Sequence, residues 1–365
     1  MRTLQQSLIV FLTALSFFVS GTLLAQFQYK SAYPDIPIVD VHVHPAHHPP
    51  HRVSDGTNHI KVSERIKERY GSNLAFWIGL TDPGKKIADQ IKAETNNRFL
   101  FTASMFRPQF GLQMTAEEVI DKVQNDGYVG LKFWFGHPTR VLTDGREEVR
   151  RIDDPQWEDF FTTLEKAEIL LAGVHVADPN HAFGDRGEWC PDPVEFWEQI
   201  RALENLIARH PNMTIISAHS AWLVSQDAQI DFLRYLLATY PNFYADISAT
   251  CHHIHNVRTD NLRDLFIEHQ DRFLFGSDGT RVEDGDGDGY WEAGGVATRY
   301  ARFFAILETD EVVPGGFFTN TPVQGLNLPR AVLEKIYYKN AVKLIPGLKE
   351  AMAAAGVLNQ SEVQD

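Results

Sequence analysis

Short apolar runs alternate with longer amphipathic segments along most of this chain. The runs at 36–44, 74–80, 99–106, 129–135, 170–176, 214–219, 243–248 and 273–278 are rich in Ile, Val, Leu, Phe and Trp. Such runs predict β-strands. Between them, 84–96, 115–125, 155–167, 193–209, 225–239 and 261–269 place apolar residues at i, i+3 and i+4 spacing, the pattern of amphipathic helices. TAEE at 115–118 has the form of a capping box. Strands alternating with helices in this way predict an α/β fold: a single-domain, distorted (β/α)8 TIM barrel over 26–350, with a C-terminal tail at 351–365. A doubly wound open sheet is the alternative. NLAFWIGL at 73–80 fits a helix as readily as a strand.

The first residues change the picture of where the protein works. MRTLQQSLIVFLTALSFFVSGTLLAQ places one arginine before an apolar run that small residues close. It predicts a signal peptide over 1–25, cleaved after Ala25, and so a periplasmic or secreted protein. An uncleaved anchor is the alternative, because 7–25 approaches the roughly 20 residues that span a bilayer. No later segment could span, so no stable membrane insertion is expected after cleavage. The formal charge of −14 disfavours nucleic acid and anionic membranes as partners. A small-molecule substrate is expected, and a homodimer is left open. Cys190 and Cys251 could pair in an oxidising compartment or stay as two thiols.

Polar residues collect near the ends of the apolar runs. In IPIVDVHVHP at 36–45, an extended strand sends Asp40, His42 and His44 to one face. An unpaired buried polar group costs roughly 2–7 kcal/mol. Two buried imidazoles therefore need partners, and a metal ion or a hydrogen-bonded pair would serve. VGLKFWF carries Lys132, LLAGVHVAD carries His175 and Asp178, and TIISAHS carries His219. FYADIS carries Asp246, and FLFGSDG carries Asp278. A barrel gathers the C-terminal ends of its strands at one rim, where its chemistry sits. Imidazoles with one carboxylate suit Zn²⁺ or a similar divalent ion. Such an ion lowers the pKa of a water and polarises a carbonyl.

These motifs make the chain resemble the amidohydrolase superfamily, in its amidohydrolase-related branch. The matching pieces are the HxH of His42 and His44, HVADP at 175–179, AHS at 218–220, YADIS at 244–248 and LFGSDG at 274–279. YYKNAVKLIPGL at 337–348, with Asn340-Ala341, resembles the family's closing helix. The likeness spans 36–348. It implies one divalent metal, Zn²⁺ in the first instance, on His42, His44, His175 and Asp278. It implies His219 beside the metal, positioning or polarising a substrate carbonyl, and Asp278 as proton shuttle. In some amidohydrolases a lysine on the fourth strand is carboxylated and bridges two metals. Lys132 is read instead as an unmodified lysine facing the site and pairing with a substrate anion or an acid; a salt-bridged structural lysine is the alternative. Asp246 either orients a ligand histidine or caps its strand. The activity implied is metal-dependent hydrolysis of a C–N or C–O bond, of amide or lactone type. A non-oxidative decarboxylase of an aromatic or dienoic acid is the second reading, and a barrel that binds without turnover is the third.

Loops at the same rim carry further polar groups. His47, His48 and His51 follow the first strand, and His252, His253 and His255 follow the seventh; they are expected to be solvated, and lining the pocket or holding a second ion is the alternative. Arg107, His137, Arg140 and Glu188 also fall on rim loops. Asp284, Asp286 and Asp288 with Gly289 match the first half of a calcium-binding EF-hand loop. The pattern breaks at Gly295, where a bidentate Glu is required, so Ca²⁺ there stands against a plain acidic loop.

Overall fold

The computed structural model describes residues 27–45, 56–106, 113–135, 151–177, 193–280, 295–315 and 321–358. The strands follow the predicted runs: β1 (Pro37–His44), β2 (Asn73–Gly79), β3 (Phe99–Phe101), β4 (Ala103–Phe106), β5 (Leu131–Phe135), β6 (Leu171–Val176), β7 (Thr214–Ser217), β8 (Phe243–Asp246), β9 (Phe273–Leu274) and β10 (Gly279–Thr280). They form two parallel sheets, β10-β1-β2-β3 and β4-β5-β6-β7-β8-β9.

Main-chain hydrogen bonds join the two sheets into one ring. β3 and β4 are halves of a single stave broken at Thr102, whose N–H donates to Gly79 O at 3.0 Å. Ala103 N–H crosses to Gly130 O at 2.9 Å. β9 and β10 are halves of another stave. Between them Val41 N–H donates to Phe275 O at 3.0 Å and Asp278 N–H to His42 O at 2.9 Å. The result is an eight-stave parallel barrel, distorted at these two breaks. β1 and β2 are buried along almost their whole length, as strands covered on both faces are. That double burial removes alternation from NLAFWIGL and explains its resemblance to a helix in sequence.

Helices Lys85–Glu94, Ala116–Asn125, Glu158–Lys166, Pro193–Arg209, Asp227–Thr239 and Thr259–Glu268 lie where the amphipathic segments predict them. The Thr115 capping box forms, with Glu118 N–H on Thr115 Oγ1 at 3.2 Å and Thr115 N–H on Glu118 Oε2 at 2.7 Å. Helices Gly56–Tyr70 and Gly295–Glu308 were not predicted. The first buries only a thin stripe including Val62, Ile66 and Tyr70 among many charges. The second is buried at nearly every position, so it shows no helical period. At the C-terminal end Asn340 Nδ2 donates to the carbonyls of Gln270 and Phe273, both at 2.8 Å, and tethers the short β9. Helix Leu348–Ala354 buries Met352 completely. Among the described residues no helix is long and apolar enough to cross a membrane.

Candidate metal centre

The backbone turns left-handed where the staves end. Ala177 has φ 60°, Ala249 54° and Asp278 56°, and His219, Ser220, Ala221 and Trp222 have 56°, 52°, 53° and 58°. Each costs an L-residue about 1–2 kcal/mol, and such strain collects at functional sites. The predicted strand at 214–219 therefore stops at Ser217, and His219 sits in a left-handed turn. Asp246 pins that turn. Its Oδ1 accepts His219 N–H at 3.0 Å, and its carbonyl accepts Ser220 Oγ–H at 3.0 Å.

The imidazoles are oriented from behind. His42 Nδ1–H donates to Asp246 Oδ2 at 2.8 Å, and His219 Nδ1–H donates to the Ser248 carbonyl at 2.8 Å. A carboxylate and a carbonyl only accept, so both rings carry their proton on Nδ1 and present a lone pair at Nε2. His44 Nδ1 lies 2.8 Å from Thr81 Oγ1. The front atoms then crowd together. His42 Nε2 is 3.2 Å from His44 Nε2 and 3.5 Å from Asp278 Oδ1; His44 Nε2 is 3.2 Å from the same oxygen. His219 Nε2 is 3.1 Å from His175 Nδ1. The ligand atoms of His42, His219 and Asp278 all lie within 4.8 Å of one another.

His42 Nε2 and Asp278 Oδ1 face each other as acceptors, an arrangement that a cation satisfies. Zn–N bonds of about 2.0–2.1 Å place tetrahedral ligand pairs about 3.3–3.4 Å apart. The observed separations fit such edges, so the donor set suits a divalent ion. Gly276 permits this closeness: a Cβ there would lie 2.8 Å from His42 Cβ and 3.0 Å from Ser248 Cβ.

Protonation follows the same logic. Burial, helped by the Lys132 ammonium, pushes His42 down to about 3, and burial pushes His219 down to about 4. Both rings are neutral and free to ligate at neutral pH. Burial opposes ionisation of Asp278, but the His44 hydrogen bond and the other imidazoles outweigh it and hold the carboxyl well below the usual range. Asp246 is held low against burial by His42 in the same way. His42 and Asp246 lie at the bottom of the cluster, with side chains 0% and 3% exposed, whereas Asp278 is 31% exposed and forms its open edge.

The family profile described as Amidohydrolase matches residues 39–347. The chain belongs to this amidohydrolase family. A search of curated proteins finds no match. Among solved structures, 2,6-dihydroxybenzoate decarboxylase complexed with 2,6-dihydroxybenzoate is 17% identical with a TM-score of 0.48, over 84% of this chain and 98% of that one. An amidohydrolase from Burkholderia multivorans with bound Zn is 14% identical, TM-score 0.46, over 84% and 98%. Amidohydrolase 2 from Bifidobacterium longum subsp. infantis is 12% identical, TM-score 0.45, over 85% and 98%.

In this member of the amidohydrolase family His42, His44 and Asp278 meet at their front atoms and His175 reaches the cluster through His219; among the described residues the group whose ligand atoms could share one ion is His42, His219 and Asp278, where the sequence reading placed His44 and His175 with His42 and Asp278. Asp40 does not join them. The β1–β2 ladder slips between Asp40 and Val43, and the Asp40 carboxylate accepts from Ser277 N–H, His42 N–H and Tyr300 OH. Lys132 is buried, and among the described residues its Nζ has no hydrogen-bond partner and forms no salt bridge. Burial draws its ammonium down to about 8, against the pull of Asp246 and Asp278. Of Asp246's two readings, the orienting one holds. His253 is buried rather than solvated, edge-on to Trp222 at 5.4 Å. Trp222 in turn stacks on His219 at 4.4 Å. Thr81 and Trp222 had no sequence signal beyond lying just after strands, and Ser248 was visible only as the last residue of the YADIS motif. Cys251 is half-buried. Asp178, Cys190, His47, His48, His51, Arg107, His137, Arg140, Glu188, Asp284, Asp286, Asp288 and the His252 side chain lie outside the described residues.

Proposed function

We propose that this protein is an exported, metal-dependent hydrolase that cleaves a C–N or C–O bond, of amide or lactone type, in a small molecule. The observation that carries the reading is the meeting of His42 Nε2, His44 Nε2 and Asp278 Oδ1 within 3.5 Å of one another, with His42 Nε2 and Asp278 Oδ1 facing as acceptors. His42, His44, His175 and Asp278 would hold the ion, and nitrogen-rich coordination with one carboxylate favours Zn²⁺. When bound, the ion supplies Lewis-acid polarisation of a carbonyl and a lowered water pKa.

The chain's own groups divide the remaining work. With its proton on Nδ1, His219 offers only an acceptor at Nε2, so it orients a water by accepting its O–H rather than polarising a carbonyl by donation. Asp278, ionised and at the open edge, takes the proton at its carboxylate. Asp246 keeps His42 in the ligating tautomer. The apolar stretch at 7–25 supports export.

A second reading, non-oxidative decarboxylation, draws on different side chains. Trp134 lies 5.5 Å from His175, Trp222 covers His219, and Lys132 holds an ammonium without a hydrogen-bond partner among the described residues. Flat walls and a buried cation suit a planar carboxylate. One experiment tests both readings: metal analysis of the purified protein, then a screen of lactones, amides and aromatic acids before and after chelation. The first reading expects hydrolysis that chelation abolishes and metal restores. CO₂ release without hydrolysis would replace it with the second, and full activity in metal-free protein would sink both.

A further inference from the structure

Helix Gly295–Glu308 carries Arg299 and Tyr300 side by side, 8% and 2% exposed. Arg299 Nη2 donates to the carbonyls of Ser277 at 2.5 Å and Asp278 at 2.9 Å. A buried guanidinium needs acceptors, and here it takes two consecutive main-chain oxygens. Successive carbonyls of an extended strand point to opposite sides. The left-handed φ of 56° at Asp278 breaks that alternation, and one nitrogen then reaches both.

The rest of this turn is fixed as fully. Ser277 N–H donates to Asp40 Oδ1 at 3.0 Å, Ser277 Oγ–H to Tyr300 OH at 3.2 Å, and Tyr300 OH to Asp40 Oδ2 at 2.5 Å. Gly279 N–H donates to Ser277 Oγ at 3.0 Å, and Asp278 N–H to His42 O at 2.9 Å. Of these anchors, Arg299 holds the carbonyls on both sides of the strained Asp278 φ/ψ pair. Remove it and the buried Ser277 carbonyl and the part-buried Asp278 carbonyl lose this donor at the residue least able to keep its backbone unaided.

We propose that Arg299 is the positioning residue for Asp278: by clamping the Ser277 and Asp278 carbonyls it holds residue 278 in the left-handed backbone that aims its carboxylate at His42 and His44. The proposal rests on the reading of Asp278 as a metal ligand. It makes the helix after the last stave part of the apparatus that sets metal affinity, without any contact between Arg299 and the ion.

The test is Zn²⁺ affinity by chelator competition together with the visible spectrum of Co²⁺-loaded protein, across Arg299→Gln, Arg299→Lys, Asp278→Gly and the Asp278→Gly/Arg299→Gln pair. Arg299→Gln is expected to weaken Zn²⁺ by about 10–100-fold, the range for partners behind a ligand, and to alter the Co²⁺ spectrum. Arg299→Lys keeps the charge but loses the fork and should fall between. Asp278→Gly removes the carboxylate and adopts positive φ freely. In that background Arg299→Gln should change affinity by no more than about twofold. A merely structural arginine would lower the melting temperature equally in both backgrounds and leave the Co²⁺ spectrum as it is, which overturns the proposal. If Arg299→Gln does not fold, unchanged affinity and spectrum in Arg299→Lys overturn it instead. If Asp278→Gly alone leaves affinity intact, the ligand reading fails first and the proposal with it.

Discussion

From β2 to β4 the staves carry Phe76, Trp77, Ile78, Phe99, Phe101 and Met105, whereas from β8 through β10 to β1 they carry Asp246, Ser248, Ser277, Asp40 and His42. Every one of these residues is at most 2% exposed. On the aromatic side, contacts are ring on ring, such as Phe99 on Phe101 at 4.8 Å. On the polar side, contacts are hydrogen bonds that converge on a few acceptors; Asp246 Oδ1 accepts from His219 N–H, Ser248 N–H and Ser248 Oγ–H. Each side uses a glycine for close approach. A Cβ at Gly79 would meet the Phe101 ring at 2.8 Å, and one at Gly276 would meet His42 Cβ at 2.8 Å. Equal burial thus serves cohesion on one side and aim on the other.

The two sides should separate under mutation. Asp278→Asn should have the largest effect, a loss of metal affinity of more than about 100-fold, beyond what a partner behind a ligand gives. Chelator competition reads it, and the melting temperature of the metal-stripped protein should move little. Phe99→Ala should do the opposite, costing about 3–5 kcal/mol of stability in urea unfolding with metal affinity of the folded fraction kept. Parallel loss of both properties in Phe99→Ala would merge the two sides. Asp246→Asn removes one acceptor behind His42 and should weaken metal by about 10–100-fold.

The glycine pair sharpens the contrast. Gly79→Ala and Gly276→Ala should each cost about 1–3 kcal/mol through overpacking. Only Gly276→Ala should change the spectrum of bound Co²⁺.

The smallest effect is in pH. His42 and His219 titrate near 3 and 4 in the fold, against 6.5 in the unfolded chain. The unfolded state therefore binds more protons between those values, and stability rises with pH across the window. It is fully present above about 6.5 and is lost as pH falls toward 4. Asp40, raised by burial to about 6 from 3.8, acts in the opposite sense over part of the range, because there the folded state holds the extra proton. The net slope is that of about one group, ~1.4 kcal/mol per pH unit. Urea midpoints of metal-stripped protein at pH 7 and pH 5 check this, and an equal or higher midpoint at pH 5 would contradict it.

The barrel was legible because parallel staves buried on both faces leave continuous apolar runs, six of the eight with a polar residue of the candidate site near the end. The same rule exposed His42, His44, His175, His219 and Asp278. What stayed hidden depends on tertiary partners. The left-handed turn at His219–Trp222 exists because Asp246, on the next stave, holds it. Asp40 is taken up by Ser277 N–H, His42 N–H and Tyr300 OH rather than by the imidazoles. Helix Gly295–Glu308 is buried too evenly to show a period, and Arg299 was hidden with it. Thr81 and Ser248 are ordinary hydroxyls until the fold places imidazoles beside them.

Anomalous diffraction from Zn²⁺-loaded crystals tests the central claim most directly. The account predicts a single strong peak about 2.0–2.3 Å from His42 Nε2, His44 Nε2 and a carboxylate oxygen of Asp278. A peak elsewhere, with those three side chains still bonded only to one another, would contradict it.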